Sequence, residues 1–237
     1  MTVASESKIR ISEIFGPTIQ GEGHLIGQPT VFVRTGGCDF RCEWCDTLYA
    51  VDSEFKSQWK LYSAEEILQQ VEILSQAPLL ITLSGGNPAL QPLGSLLEQG
   101  HNAGYQFSIE TQGRVAKNWF SQLDHLVLSP KPPSSGMTND WLQVNKCLEL
   151  ATTAEKVFKI VVKDEVDYQL AKEVHKLYPT YPITLQACNT HHKTSHNLDN
   201  ILQRQRWLTE RVCEDHWYQA RVLPQLHTLL WGNTSGR

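Results

Sequence analysis

The sequence has no hydrophobic run that approaches the roughly 20 residues needed to cross a bilayer, so a membrane-spanning helix is not expected. It also has no excess of basic charge: 21 Lys and Arg against 25 Asp and Glu give a net charge of -4, which argues against a nucleic-acid partner. Repeats, low-complexity segments and long linkers are missing too. With 41% hydrophobic and 19% charged residues, we expect a folded single domain over residues 1–237. The polar start, residues 1–10, has no signal-peptide core and favours a cytoplasmic location.

Short apolar runs rich in β-forming residues alternate with stretches of helical spacing. The predicted strands cover residues 31–33, 79–83, 106–109, 126–128, 157–162 and 183–185. The predicted helices cover residues 64–74, 93–103, 140–150 and 166–178. The first helix opens with Ser63 and Glu66, the two residues of a capping box. Strand followed by helix, repeated, predicts an α/β fold with parallel strands joined by right-handed crossovers.

Polar or glycine-rich residues follow each predicted strand. These segments are the cysteine-rich loop after residue 33 and residues 84–88, 110–113, 129–131, 163–164 and 186–189. In a parallel α/β barrel, the carboxyl ends of the strands face one side, where binding sites are built. The sequence therefore predicts that these scattered segments converge on one pocket.

Six cysteines need an explanation, because disulfides are rare in a reducing compartment. Cys38, Cys42 and Cys45 are packed into eight residues. The other three stand alone in the sequence: Cys147, Cys188 and Cys213. A structural zinc site would need a fourth nearby protein ligand, so zinc is the weaker interpretation. A 4Fe-4S cluster held by three cysteines leaves one iron open to a substrate or cofactor.

The spacing of Cys38, Cys42 and Cys45, with Trp44 just before the third cysteine, resembles the signature of the radical S-adenosylmethionine superfamily. The resemblance implies that the open iron chelates the amino and carboxylate groups of S-adenosylmethionine, which the reduced cluster cleaves to a 5'-deoxyadenosyl radical. Residues 84–88, Ser-Gly-Gly-Asn-Pro, resemble the superfamily's Gly-Gly-Glu-Pro segment, whose glycines let the backbone approach the methionine amine. Here Asn87 replaces the usual Glu and offers the amine no charge.

Further segments resemble one family within that superfamily, the 7-carboxy-7-deazaguanine synthases of queuosine biosynthesis. They are residues 15–23, 34–38, 45–47, 129–133 and 221–227, and the resemblance covers nearly the whole chain. It implies a carbon–nitrogen lyase that converts 6-carboxy-5,6,7,8-tetrahydropterin to 7-carboxy-7-deazaguanine with release of ammonia. This radical ring contraction begins with hydrogen abstraction at substrate C6. The resemblance further implies an abbreviated, partly open parallel β/α barrel (a partial TIM barrel), Mg²⁺, a homodimer, and a flavodoxin or ferredoxin reductant.

The resemblance also implies roles for individual residues. Cys38, Cys42 and Cys45 bind the 4Fe-4S cluster that generates the radical, on a loop covering residues 35–47, and Thr47 binds Mg²⁺. The predicted substrate-binding residues are Ile19, Gln20, Gly21, Glu22, Arg34, Ser84, Gln225 and His227. The predicted S-adenosylmethionine-binding residues are Trp44, Gly86, Asn87, Glu110, Ser129, Pro130, Lys131, Gln186 and Asn189. A C-terminal tail of about residues 217–237 is predicted to cap the substrate.

The chemistry of these side chains suits those roles, although simpler roles stay open for some. A pterin has an amide-like edge of donors and acceptors, which Gln20, Glu22 and His227 can hydrogen-bond. The planar guanidinium of Arg34 matches the two oxygens of a substrate carboxylate, but Arg34 could equally form an ordinary ion pair. Glu110 could likewise be a structural ion pair rather than a cofactor contact.

Two rival functions are open at this stage. A glycyl-radical activase would share the cysteine loop but act on a protein, whereas residues 20–23 and 221–227 favour a small heterocycle. A zinc- or cluster-stabilised binding module would not turn over at all. The histidine run at residues 191–196 is predicted to be a solvated loop. Three tryptophans are predicted to be core or dimer-surface anchors: Trp207, Trp217 and Trp231.

Overall fold

In a computed structural model, which describes residues 7–190, 197–232, 234 and 236, the chain is built around one nine-stranded sheet. The strands are β1 (Ile9–Ile19), β2 (Pro29–Thr35), β3 (Lys60–Tyr62), β4 (Leu80–Gly85), β5 (Gln106–Thr111), β6 (His125–Leu128), β7 (Glu155–Val162), β8 (Ile183–Ala187) and β9 (Ala220–Val222). Each of the six strands predicted from the sequence is present.

The α-helices include all four that the sequence predicts. They are α1 (Leu48–Val51), α2 (Ala64–Leu74), α3 (Gly94–Asn102), α4 (Trp141–Leu150), α5 (Glu165–Leu177), α6 (Leu198–Glu214) and α7 (Leu226–Trp231). Short 3-10 helices cover Gly23–Leu25, Ser53–Gln58, Pro88–Leu90, Asn118–Gln122 and Pro133–Ser135. The predicted capping box opens α2: Ser63 Oγ accepts from Glu66 N, and Glu66 accepts in return from Ser63 N.

The strand order β3-β1-β2-β4-β5-β6-β7-β8-β9 makes the sheet an open one, with β3 and β9 at its two edges. Strands β2 and β4 to β9 pair in parallel, while β1 is antiparallel to both β2 and β3. The sequence prediction of a partly open parallel β/α barrel is therefore confirmed, with the antiparallel hairpin β1–β2 added to it.

The two faces of the parallel strands have different chemistry because successive side chains point to opposite sides. One face carries residues such as Leu83, Ile109 and Phe158, which form a single buried core with α2 to α6. The other face carries polar residues at many of the alternate positions, with apolar residues such as Val157 among them. In β7 this inner face includes Glu155 and Lys159, on the side opposite to Phe158. The apolar face fixes the helices, and the polar face is left for the site.

Other features of the chain have simple positions in this fold. None of the helices in the described part of the chain has the length and apolar character needed to cross a membrane. Trp217 lies in the core, Trp207 packs against it, and Trp231 is 37% exposed. The histidine run at residues 191–196 lies outside the described residues.

Candidate active site

A cavity of about 280 Å³ opens at the carboxyl ends of the parallel strands, where the sequence predicts the pocket. A smaller cavity of about 100 Å³ adjoins it and shares the side chains of Glu22, Glu110 and Lys131. Most predicted site residues line the larger cavity: Ile19, Gln20, Gly21, Glu22, Arg34, Cys38, Cys42, Trp44, Cys45, Thr47, Ser84, Gly86, Glu110, Lys131, Asn189 and His227. Gln186 and Gln225 line the smaller cavity. The fold thus brings together residues from every part of the chain.

The three cysteines lie on the loop between β2 and α1. Cys38 Sγ accepts a hydrogen bond from the backbone of Phe40 at 3.4 Å, and the amide of Cys45 donates to the carbonyl of Cys42. Burial raises the pKa of the Cys38 thiol to about 11, and it also raises the pKa values of Cys42 and Cys45. Cluster assembly on this loop must therefore release protons from the thiols.

The loop that follows β6 braces the cysteine loop from one side. Trp44 Nε1 donates to Ser134 Oγ at 2.9 Å, and Ser134 Oγ in turn donates to Asp167 at 2.6 Å. The amide of Glu43 donates to the carbonyl of Ser135. These bonds hold the backbone between the second and third cysteines, and they place the indole of Trp44 at the cavity wall.

The separation of the three sulfurs decides between one metal ion and a cluster. Around a single zinc ion, with Zn–S bonds of about 2.3 Å, tetrahedral thiolates lie about 3.8 Å apart. Within the described residues, the Cys38, Cys42 and Cys45 sulfurs do not all lie within 4.8 Å of one another. A 4Fe-4S cluster spaces its thiolates more widely because each binds a different iron. The donor set therefore fits a three-cysteine cluster better than a zinc ion.

The glycines after β4 are packed against the cysteine loop. A side chain at Gly86 would overlap the carbonyl of Gly37, and Gly85 has a φ of +127° that favours glycine. The amide of Asn87 donates to the carbonyl of Gly37 at 2.8 Å. The side chain of Asn87 is fully buried, where its Nδ2 donates to Asp39 at 2.9 Å. Asn87 thus lines neither cavity and lies beneath the loop rather than in the cavity wall.

A buried ion-pair network forms another part of the cavity walls. Lys159, with a side chain 4% exposed, contacts Glu22 and also Glu110, the latter at 2.6 Å. Gln225 Nε2 donates to Glu22 at 2.7 Å, and His227 lies 3.9 Å from the same carboxylate. The network therefore joins the loop after β1, the inner face of the sheet and the C-terminal segment.

The charges of this network keep Glu22 and Lys159 ionised in spite of burial. Burial opposes ionisation of Glu22, but Lys159 and His227 outweigh it and hold the pKa of Glu22 well below its usual range. Burial likewise opposes the charge of Lys159, and the two carboxylates outweigh it and raise the pKa of Lys159. Glu22 and Lys159 therefore carry fixed charges at neutral pH.

Lys159 was not predicted as a site residue. Its signal in the sequence is a lone lysine inside the apolar β7 segment, at a position that alternation places on the inner face. A lysine that is almost fully buried is uncommon unless it is paired. That rule would have identified Lys159 as a site residue, although not its partners.

The loop after β1 is joined closely to the C-terminal segment. The amide of Leu226 donates to the carbonyl of Gly21 at 2.8 Å, and a side chain at Gly21 would overlap the imidazole of His227. Gln20 Oε1 accepts from the amide of Glu22 at 3.1 Å. Within the predicted capping tail, Gln225 is the first residue that lines a cavity. Trp217, at the start of that tail, lies in the core instead.

Arg34 and Ser84 are register partners on β2 and β4, and both line the cavity. Arg34 Nε bonds to Glu13 at 2.6 Å, and Tyr49 donates to the same Glu13 oxygen at 2.7 Å. Among the described residues, the terminal nitrogens of Arg34 have no hydrogen-bond partner. The ion pair foreseen as an alternative therefore exists, and it leaves the outer edge of the guanidinium for an anion.

The remaining predicted cofactor residues lie beside the cysteine loop. Lys131 Nζ donates to Ser129 Oγ at 3.0 Å and lies 6.0 Å from the centre of the Trp44 ring. Ser129 and Pro130 themselves line neither cavity. Gln186 faces the smaller cavity, and its Oε1 is buried without a hydrogen-bond partner in the described structure. A buried orphan acceptor costs free energy unless a donor reaches it, so this atom fits a bound cofactor.

Comparisons with known proteins agree with this geometry. The sequence model of the radical SAM superfamily matches residues 32–129. A 7-carboxy-7-deazaguanine synthase from Bacillus cereus is 39% identical over 237 residues, covering 97% of this chain and 99% of that protein. The Bacillus subtilis protein of the same name is 40% identical over 238 residues, covering 96% of this chain and 98% of that protein.

A solved structure supports the fold. The crystal structure of QueE from Escherichia coli matches with a TM-score of 0.70 and 24% identity, covering 93% of this chain and 95% of that one. The sequence identity and coverage of the two Bacillus relatives establish the family as well as the fold. This chain belongs to the 7-carboxy-7-deazaguanine synthase family of the radical SAM superfamily.

Proposed function

We propose that this chain contracts the ring of 6-carboxy-5,6,7,8-tetrahydropterin to give 7-carboxy-7-deazaguanine and ammonia, in the cavity between the cysteine loop and the Glu22 network. The observation that carries the proposal is the shared cavity: the three cysteines line it together with Glu22, Gln20 and His227. When bound, the 4Fe-4S cluster and S-adenosylmethionine supply the 5'-deoxyadenosyl radical that starts the reaction.

The Glu22 network supports recognition of a pterin edge. A carboxylate accepts hydrogen bonds, whereas Gln20 and His227 can both donate and accept, so together they complement a heterocycle with alternating donors and acceptors. Lys159 and Gln225 fix the Glu22 carboxylate in place. Because a mismatched ligand would leave buried polar groups unpaired, such a wall discriminates strongly between heterocycles.

Arg34 is the proposed partner of the substrate carboxylate. Its Nε is held by Glu13, so the guanidinium cannot rotate freely, and its terminal nitrogens remain for two carboxylate oxygens. Ser84, the register partner of Arg34, adds a hydroxyl on the same wall. The carboxylate would thus orient the ring against the radical source.

Thr47 is the proposed protein ligand of Mg²⁺. Its hydroxyl is not used to cap α1, and both Thr47 and Asp46 line the cavity. Magnesium keeps several waters and commonly completes its shell with substrate oxygens. We therefore expect Mg²⁺ to bind substantially with the substrate carboxylate and weakly without it.

Lys131, Trp44, Glu110, Gln186 and Asn189 are the proposed side-chain contacts of S-adenosylmethionine. All five line the smaller cavity, beside the cysteine loop. A homodimer and a flavodoxin or ferredoxin reductant are proposed from the family resemblance, and light scattering of the purified chain tests the first. The cytoplasm stays the predicted location because the cluster thiolates need a reducing compartment.

The decisive experiment supplies the substrate to the reconstituted protein. Under anaerobic conditions with reductant, S-adenosylmethionine and Mg²⁺, we expect mass spectrometry to detect 7-carboxy-7-deazaguanine and ammonia in equal amounts. Cleavage of S-adenosylmethionine without any deazaguanine would remove the substrate assignment and favour an activase. Absence of both bound iron and cleavage would favour a binding module.

A second experiment separates the roles of the metal ligands. Cys42→Ala should abolish cleavage of S-adenosylmethionine, whereas Thr47→Ala should leave cleavage in place and lower product formation together with its Mg²⁺ dependence. Thr47→Ser is the matched control because it keeps the hydroxyl, and it should restore most of the Mg²⁺ dependence. Equal loss of cofactor cleavage in the Cys42 and Thr47 variants would contradict the assignment of Mg²⁺ to Thr47.

A further inference from the structure

A cluster of two histidines and one glutamate lies at the amino ends of β6 and β7, the end of the sheet opposite the cavity. His125 and Glu155 are direct register partners in the parallel ladder, on the inner face of the sheet. His125 Nδ1 lies 3.3 Å from a Glu155 carboxylate oxygen. His24, from the 3-10 helix Gly23–Leu25, places its ring centre 5.5 Å from that of His125. One ligand atom of each residue lies within 4.8 Å of the other two.

Three of the four ring nitrogens in this cluster lack hydrogen-bond partners among the described residues. Both nitrogens of His24, and Nδ1 of His125, are buried without a hydrogen bond in the described structure. The approach of His125 Nδ1 to Glu155 is close but not aligned as a hydrogen bond. Buried polar atoms are normally satisfied, so three orphan nitrogens side by side need an explanation.

We propose that His24, His125 and Glu155 form a site for a zinc-type divalent transition-metal ion, separate from the iron–sulfur site. Two imidazole nitrogens and one carboxylate oxygen are a common zinc ligand set, with water in the fourth position. At Zn–N bonds of about 2.0 Å, tetrahedral ligand atoms lie about 3.3 Å apart, so His125 and Glu155 are already at the required separation. The His24 ligand atom lies within 4.8 Å of the other two, so binding requires the His24 ring to move towards them.

The surroundings of the cluster suit a bound cation and its entry. The Glu155 side chain is 58% exposed, which gives an ion and its water a path from solvent, while the His125 side chain is 16% exposed. The positive charge of Arg221, on β9, is near His24 and would repel a bound cation. The carboxylate of Glu155 offsets that repulsion.

The position of the site indicates what the ion does. Glu155 and Lys159 lie on the same face of β7, four residues or about 13 Å apart. His24 follows Glu22 by two residues, so the short loop after β1 would contact β7 twice, through the Glu22–Lys159 pair and through the ion. The ion therefore anchors the loop that carries Gln20 and Glu22 to the floor of the barrel.

The test measures metal on the cluster-containing protein, so that the three cysteines are already occupied by iron. Reconstituted protein is dialysed anaerobically against Zn²⁺, and iron and zinc per chain are counted by mass spectrometry. We expect one zinc per chain in the wild type, and a loss of affinity of about tenfold or more in His24→Gln and in His125→Gln. His101→Gln is the matched control because His101 pairs with Asp124 instead. A variant carrying His191→Gln, His192→Gln and His196→Gln removes the histidine run and should still bind one zinc.

Two further readouts separate ligation from a structural role of the histidines. Co²⁺ in place of Zn²⁺ should give the visible absorption of a four-coordinate site, lost in His24→Gln. Added Zn²⁺ should slow hydrogen exchange at residues 20–28 in the wild type and not in His24→Gln. Equal zinc content in the wild type and both histidine variants, or zinc lost only with the 191–196 variant, would overturn the proposal.

Discussion

Replacing Lys159 with Met tests whether the buried lysine holds the network together. The lysine side chain is 4% exposed and contacts Glu22 and Glu110, whose side chains are 17% and 29% exposed. Lys159→Met keeps the unbranched apolar stem and removes the charge, so two carboxylates lose their shared partner. Breaking a buried ion pair by removing one member typically costs 3–5 kcal/mol. Because water reaches both carboxylates in part, we expect about 3 kcal/mol at pH 7.5.

The dependence on pH gives this prediction its specificity. In the wild type, the pKa of Glu22 is held well below its usual range, so its stabilising contribution is present above about pH 4 and is lost only as the pH falls through the lowered pKa. Without Lys159, burial dominates and raises the pKa of Glu22 above its usual value. A raised carboxyl pKa makes the variant lose stability as the pH rises through it. The difference between wild type and variant should therefore shrink between pH 7.5 and pH 5.

Urea unfolding followed by tryptophan fluorescence measures both quantities on matched preparations. Lys159→Met combined with Glu22→Gln should recover about half of the lost free energy, because one unpaired buried charge is gone. Lys172→Met is the control: Lys172 contacts Asp215 at 2.6 Å, but its side chain is 33% exposed and Arg211 also pairs with that carboxylate. A loss in Lys159→Met below about 1 kcal/mol, or one that does not change with pH, would refute the reasoning.

Three further predictions concern the cavity walls. Gly21→Ala should raise the substrate KM about tenfold or more by displacing His227, with cluster content unchanged, and adding His227→Ala should cause little further loss if the two act together. Gln186→Leu should weaken S-adenosylmethionine binding about five- to thirtyfold in equilibrium titration. The thermal stability of the cofactor-free chain should stay the same or rise, because the substitution removes the unpartnered Oε1. Unchanged affinity would argue against a contact between Gln186 and the cofactor. Alkylation of Cys38 in the cluster-free chain should accelerate about tenfold per pH unit from about pH 7 to 10, because its pKa is about 11. A simple thiol, with a pKa of about 8.5, levels off above about pH 9.5, so a plateau at Cys38 in that range would contradict the buried-thiol assignment.

The features predicted well from the sequence are those in which one segment carries the whole signal. The central parallel strands stand out in the sequence as short apolar runs. The capping box of α2 lies within four consecutive residues. The cysteine loop is local as well. By contrast, α6 was not predicted, because its exposed surface is polar and it has few buried residues. These are Ile201, Leu208 and Val212. Strand β9 has three residues, too few for a pattern.

Pairing between distant residues is what the sequence could not supply. The cysteine loop and the glycines after β4 can be recognised from local sequence motifs. By contrast, nothing near Lys159 in the sequence indicates that its partners are Glu22 and Glu110. The same limit applies to Asn87, whose place in the Ser-Gly-Gly-Asn-Pro segment suggested a cofactor contact and whose burial against Asp39 depends on how β4 meets the cysteine loop. Such contacts follow from strand order and register, which are properties of the whole sheet.

Because its side chains alternate between two faces, strand β7 serves the core on one face and two polar clusters on the other. Phe158 and its neighbours on the same face secure the core, so the opposite face is free to carry polar groups. Glu155 at the amino end meets His125 across the ladder, and Lys159, about 13 Å further along, meets Glu22. A one-residue slip of β7 would exchange these faces, burying the charges in the core and emptying both sites together. The large apolar residues of the core therefore act on the chemistry indirectly, because they fix the register on which both polar clusters depend.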